Sequence, residues 1–244
     1  MVENIARRAG LGATLAEGPL AAAREFGTEP EQYAMQVKNQ AFPMHEPRLK
    51  LGLALGYAVS PTGADHIHVL MDDWPGGVLS EGDDGFQNDP DLRSMGLLQS
   101  IEREVLDLDK VRASVYRTRF VALQNCLLMC MFTDWHLDDE VALVRAATGW
   151  DVGSYELIKA GERALTLARL FNVREGLGVA DDWLPERCFG PTSNGALADA
   201  GVDRDALREA IHAYYGMMGW NENTGVPLAG TLHELGLSWA VKHL

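Results

Sequence analysis

The stretch "SYELIKAGERALTLARLFNVREG", residues 154–176, decides the fold class, because it reads as one long helix with Ser154 as a plausible N-cap. Working outward, "DDEVALVRAAT" (138–148, capped at Asp138) and a segment at about 118–132 read as helices before it. "DRDALREAIHAYYGMMG" (203–219, capped at Asp203) and "PLAGTLHELG" (227–236, with Thr231 as a cap) read as helices after it. Toward the N-terminus, "NIARRAGLGATLAEG" and "PLAAAREFG" carry apolar residues at helical spacing and end at Gly18 and Gly27, which suit left-handed C-caps and predict helices over 3–16 and 18–26. "EQYAMQVKN" (31–39), "KLGLALGYAV" (50–59) and "SMGLLQSIEREVLDL" (94–108) are further helical candidates. Only short apolar pieces such as "IHVLM" (67–71) suit strands. The expectation is an all-α, multihelical protein without repeats, interrupted by one acidic, Gly-rich loop, "DDWPGGVLSEGDDGFQNDPD" (72–91), long enough to be a lid or an insertion.

Composition limits the function classes. At 244 residues the chain can bury a sizeable core. A formal charge of −14 argues against nucleic acid as a partner, since phosphate binding needs clustered Lys and Arg. No apolar run approaches the length of a membrane span and no signal-peptide pattern opens the chain, so the expected address is cytoplasmic.

Three places invite chemistry. "SPTGADHIH" (60–68) sets a turn before Asp65, His66 and His68; two histidines one residue apart suit a metal or acid–base work, although Asp65 as a helix cap with two structural histidines is the simpler reading. "LQNCLLMCMF" (123–132) places Cys126 and Cys130 four positions apart in an apolar run expected to be buried, which on spacing alone means core packing, since a zinc or cluster site wants three or four ligands. "REAIH" (208–212) has an ExxH spacing that on a charged amphipathic helix reads as a solvated pair.

The order of the words changes the weighing. "LAEG" (15–18), "QYAMQVK" (32–38), "HEPR" (45–48), "LGYAVSPTGADH" (55–66), "CLLMCMF" (126–132), "GWD" (149–151), "GERALTLARLFNVREGL" (161–177), "DDWLPER" (181–187) and "YYGMMGWNENTGVP" (214–227) follow one another along nearly the whole chain. Together they resemble the C-terminal portion of the aldehyde:ferredoxin oxidoreductases, tungsten or molybdenum enzymes with a bis-pterin cofactor beside a [4Fe–4S] cluster. The resemblance implies that residues 1–41 are a helical remnant of the middle domain and 42–244 the C-terminal all-α domain. It implies oxidation of small aldehydes to carboxylic acids, with ferredoxin or another carrier taking the electrons.

The resemblance also implies roles. His66 matches a histidine close to the metal, a proton donor or carbonyl-orienting group, while Asp65, His68, Asn125 and Met129 match pterin-facing positions. The family's DxxGLC motif aligns with Asn125 to Cys130, which makes Cys130 the fourth cluster thiolate and Cys126 a small buried spacer. Asn125 stands where the motif has Asp and Leu128 where it has Gly, a glycine read as permitting close backbone approach to the cofactor. Nothing matches the family's CxxCxxxC run or its N-terminal pterin domain, and Cys188 lies outside the motif. The expected partner is therefore a missing N-terminal half or a separate subunit, and the isolated chain is expected to be inactive and prone to aggregation. His66 and Cys130 are expected to line one concave surface, with the 72–91 loop leaving them together. The alternatives are a cofactor-free helical scaffold derived from the family, or part of a related aromatic acyl-CoA reductase.

Overall fold

The computed structural model describes residues 1–27, 32–70, 72, 90–98, 101, 104–130, 132–133, 135–195 and 197–244. Nearly all of the 72–91 loop, between Asp72 and Pro90, thus lies outside the described residues.

The helix over Leu51–Val59 (α4) lacks a polar face, and every residue from Gly52 to Val59 is buried, as a helix apolar all round must be. Its N-terminus leaves amide donors that burial makes costly. Asp72 satisfies them, Oδ1 accepting from the Gly52 amide at 3.2 Å and Oδ2 from the Leu53 amide at 3.1 Å. The carboxylate is itself ion-paired with Lys110, both side chains being fully buried.

Two long helices frame this centre. Leu108–Cys126 (α6) starts where Asp107 accepts from the Lys110 amide, and packs along Ser154–Arg174 (α8). Their crossing requires a glycine, since a Cβ at Gly161 would stand 2.1 Å from the Arg119 carbonyl oxygen. Arg204–Met217 (α9) closes the main core through Leu207, Ile211, Tyr214 and Tyr215. Leu137–Thr148 (α7) covers the far end of α6 and α8 through Leu137 and Val141. Ala229–Glu234 (α10) and a 3-10 turn over Ser238–His243 form a smaller cluster on Leu170. Short helices complete the described set: Val2–Ala6 (α1), Leu11–Ala16 (α2), Pro19–Phe26 (α3) and Pro90–Ser94 (α5). The all-α expectation holds.

Four expectations about elements fail, each for a local reason. The helix expected over 31–39 is not formed by the described residues 32–39; Gln36–Val37 (β1) and Gln40–Ala41 (β2) pair as a hairpin whose turn residues Lys38 and Asn39 have φ of 50° and 64°, the paired left-handed geometry of a tight hairpin. Residues 3–16 are two helices, because Arg8 and Gly10 have positive φ. Over 94–108 the described residues between α5 and α6 are non-helical, with Gly96 at φ 92°. "IHVLM" forms no strand over 67–70, and Met71 lies outside the described residues. Of the four caps, only Asp203 works as one, accepting from the Asp205 and Ala206 amides at 2.9 and 2.8 Å. His136 and Gly153 hold the other two N-cap positions, and the Thr231 hydroxyl donates to the Gly219 carbonyl at 2.6 Å.

The hairpin turn drives Lys38 into the interior. Its ammonium lies 2.6 Å from Asp182 Oδ1 and donates to the Ala58 carbonyl at 2.5 Å, with 2% of the side chain exposed. Arg169 Nη1 meets the other oxygen of Asp182 at 2.6 Å, its Nε donates to the Gly225 carbonyl at 2.8 Å, and the Tyr215 hydroxyl also donates to Asp182. Burial holds the Lys38 ammonium below its ordinary range even though the Asp182 carboxylate pulls the other way.

A second buried acid behaves differently. Glu140 on α7 accepts from Gln124 Nε2 at 2.9 Å through Oε1, while its Oε2 and Gln124 Oε1 are buried without a hydrogen-bond partner. Burial pushes the Glu140 carboxyl up from 4.5 to about 7. Between those values the folded chain keeps a proton that the unfolded chain releases, so the stability contributed by this group falls as pH rises through the window. Glu140→Gln should therefore be more stable than the parent at pH 8, by at most ~3 kcal/mol, with the gap closing by about pH 5. Urea unfolding at the two pH values measures it; equal gaps at both would refute a neutral Glu140.

Candidate functional site

The "SPTGADHIH" turn is built by its own side chains. Ser60 Oγ accepts from the Thr62 amide at 3.3 Å, and Gly63 has φ 84° with its Cα so close to the hairpin that a Cβ would lie 2.1 Å from the Val37 carbonyl oxygen. Asp65 caps no helix. Its Oδ1 accepts from the Ile67 amide at 2.8 Å, and its Oδ2 accepts from the Thr62 hydroxyl at 3.2 Å and pairs with His68 Nδ1. Burial alone would raise the Asp65 carboxyl, but the bonds from His68, Ile67 and Thr62 more than offset it and hold it below the ordinary carboxylate range. The bond to Asp65 in turn raises His68, against the opposing effect of burial, and the Asn125 side chain acts in the same direction.

That network opens on a cleft of about 300 Å³ between the turn, α6 and α8, whose lining includes Thr62, His68, Thr118, Asn125 and Cys126. His68 and Asn125 line it, and Asp65 is bonded to His68. His66 is not among the lining residues; its ring lies against that of His45 in a tilted contact with centroids 4.5 Å apart. Cys130 does not line the cleft either.

The cysteine stretch corrects the sequence reading. Helix α6 ends at Cys126, so the two thiols do not share a helical face. The run is also not buried: Cys126 and Cys130 are exposed, as are Leu128 at 93% and Phe132 at 80%. Cys126 therefore faces the cleft instead of the core. The end of α6 is a Schellman cap, in which the Met129 amide donates to the Gln124 carbonyl at 2.9 Å and the Leu128 amide to the Asn125 carbonyl at 3.1 Å. Leu128 occupies the left-handed position of that cap, with φ 58°. Glycine fills such a left-handed position without strain, which gives the motif's glycine a backbone role in the cap. Because left-handed backbone costs a non-glycine residue ~1–2 kcal/mol and glycine loses part of this through chain entropy, Leu128→Gly should raise stability by ~0.5–1 kcal/mol. Thermal unfolding measures it; destabilisation would mean that the exposed leucine packs where the structure leaves it free.

Among the described residues no group of three His, Cys, Asp or Glu side chains can hold a metal ion, and the ExxH pair of Glu209 and His212 forms no such group. Two thiols, Cys126 and Cys130, are exposed, and His68 and Asn125 give the cleft a polar edge. No helix among the described residues is long and apolar enough to cross a membrane.

Comparison with known proteins finds relatives over nearly the whole chain. A family model described as "Aldehyde ferredoxin oxidoreductase, domains 2 & 3" matches residues 1–237. The tungsten-containing aldehyde ferredoxin oxidoreductase of Pyrococcus furiosus is 33% identical over 241 residues, and that of Pyrococcus abyssi 32% over 240; each alignment covers 97% of this chain and 36% of the relative. Among solved structures, the active site complex BamBC of benzoyl coenzyme A reductase with 1,5-dienoyl-CoA superposes with a TM-score of 0.73 at 22% identity, over 99% of this chain and 38% of that one. At that identity the likeness carries the fold alone. The chain spans about a third of the length of the curated relatives it matches.

Proposed function

The chain belongs to the aldehyde ferredoxin oxidoreductase family, and on that premise we propose that it forms one wall of the active site of a tungsten- or molybdenum-pterin, iron–sulfur oxidoreductase that converts small aldehydes to carboxylic acids and passes the electrons to ferredoxin. Residues 42–244 act as the C-terminal domain and 1–41 as the edge of the middle domain, joined through the hairpin. The pterin domain and three cluster thiolates come from sequence or a subunit outside these residues. The observation that carries the reading is the Asp65–His68 pair, whose imidazole shares one cleft with Asn125 at the end of α6.

The cofactor supplies the two-electron chemistry. The chain's residues supply position and protons. Asp65 holds the His68 imidazole by one ring nitrogen, and His68 and Asn125 together give the cleft a polar edge for the pterin. His66 gives or takes the proton at the substrate oxygen. Cys130, on the exposed turn past α6, offers a thiolate to the cluster.

With the complementary half co-expressed, His66→Ala should lower turnover by about 10²–10⁴-fold while tungsten and iron content stay at the parent level. Full activity in that variant would remove His66 from the chemistry. Loss of both metals would make its role structural.

A further inference from the structure

His66 and His68 sit in the same turn, yet they are restrained in different ways. His68 is held by a hydrogen bond from a ring nitrogen to Asp65. Among the described residues His66 has no hydrogen bond, and its ring lies against that of His45 in a tilted face contact: the centroids are 4.5 Å apart, with planes inclined by 32°. Stacking fixes a ring without occupying either nitrogen, and a group that must pass a proton needs its nitrogens free.

His45 is well supported for this task. It opens the "HEPR" word, and the rest of that word is a clamp. Glu46 Oε1 accepts from the Arg48 amide at 3.1 Å, and the Arg48 guanidinium returns two bonds, Nε to Oε1 and Nη2 to Oε2, each 2.9 Å. Arg48 Nη1 then donates to the Gly190 carbonyl at 3.0 Å, across the fold. From the other side the Tyr57 hydroxyl, on fully buried α4 residue Tyr57, donates to the His45 carbonyl at 3.3 Å. The backbone carrying the His45 ring is thereby tied to α4 and to the 190 region at once.

We propose that His45 is a positioning residue for His66, its ring acting as a fixed platform that holds the His66 imidazole in one orientation while leaving both ring nitrogens available. The proposal rests on the reading of His66 as the proton-transfer group. Without the platform the imidazole is free to turn about its broad terminal torsion, and small misplacements of reacting groups are costly in rate.

The test compares the parent chain with His45→Ala and His45→Phe. Reaction of His66 with diethyl pyrocarbonate, followed by tandem mass spectrometry so that His66 and His68 are scored apart, should be several-fold faster in His45→Ala and close to the parent in His45→Phe, which keeps an aromatic platform. In the completed enzyme His45→Ala should lower kcat by about tenfold with KM little changed, and His45→Phe should recover most of the loss. Should His45→Ala lose helical content, His45→Leu, similar in volume and without an aromatic face, takes its place. Equal modification rates in all variants, or a phenylalanine variant as impaired as alanine, overturns the proposal. If His66→Ala leaves turnover intact, the proton-transfer reading falls on its own, and the modification rates still decide whether His45 holds the ring.

Discussion

Cys130→Ser, in the protein reconstituted with its complementary half, should lose iron and the visible absorbance of the cluster, whereas Cys126→Ser and Cys188→Ser keep both. The three thiols differ in what a cluster needs, which is a deprotonated, accessible sulfur. Cys130 is exposed on the turn beyond α6. Cys188 is fully buried, and burial, with the nearby Glu46 charge adding to it, pushes its thiol up to about 12, so it stays protonated and closed to metal. Cys126 is exposed but belongs to the cleft with His68 and Asn125. A serine there should alter the cleft without touching iron. Equal iron in all three variants would leave the family fold here without its electron path.

The second large effect concerns the interior. Asp182→Ala removes the carboxylate shared by Lys38 and Arg169, whose side chains are each 2% exposed. Two buried cations would then face each other unpaired. Breaking a buried pair costs ~3–5 kcal/mol for one stranded charge, and here two are stranded, against a total stability of roughly 5–15 kcal/mol for a domain. The variant should be mostly unfolded or insoluble at 37 °C, while Asp182→Asn, which keeps the shape and some hydrogen bonds, should fall between. Circular dichroism and urea midpoints read the order; a well-folded alanine variant would show that water reaches the cluster.

What the sequence disclosed depended on how local the determining forces were. The helices α8 and α9 were legible because apolar spacing and, for α9, the Asp203 cap act within one segment. The hairpin was not, since its turn uses Lys38 and Asn39 in left-handed conformations without a glycine, and its stability comes from Asp182, distant in sequence. The end of α6 was missed for a similar reason: Leu128 fills a position where glycine would have announced the stop. Of the residues that the resemblance singled out, Asp65 is bonded to His68, and His68 and Asn125 line one cleft. Spacing could not show that Cys126 shares their cleft or that His45 lies against His66, because both facts arise from the packing of separate elements. The word "HEPR" was the available signal for the latter.

Asp72 and Asp91 bracket the acidic, Gly-rich segment singled out in the sequence. Asp72 is fixed to the start of α4 and to Lys110, and Asp91 accepts from the Leu137 amide at 2.8 Å and lies 3.3 Å from His136. Each end of the segment is therefore moored to a different helix by a buried acid, and the separation of the moorings is set by the helices. The entropy of closing a flexible segment grows only as the logarithm of its length, about 0.6 kcal/mol for each doubling. A change in the number of residues between these two posts would therefore leave both moorings, and the helices that they tie, in place.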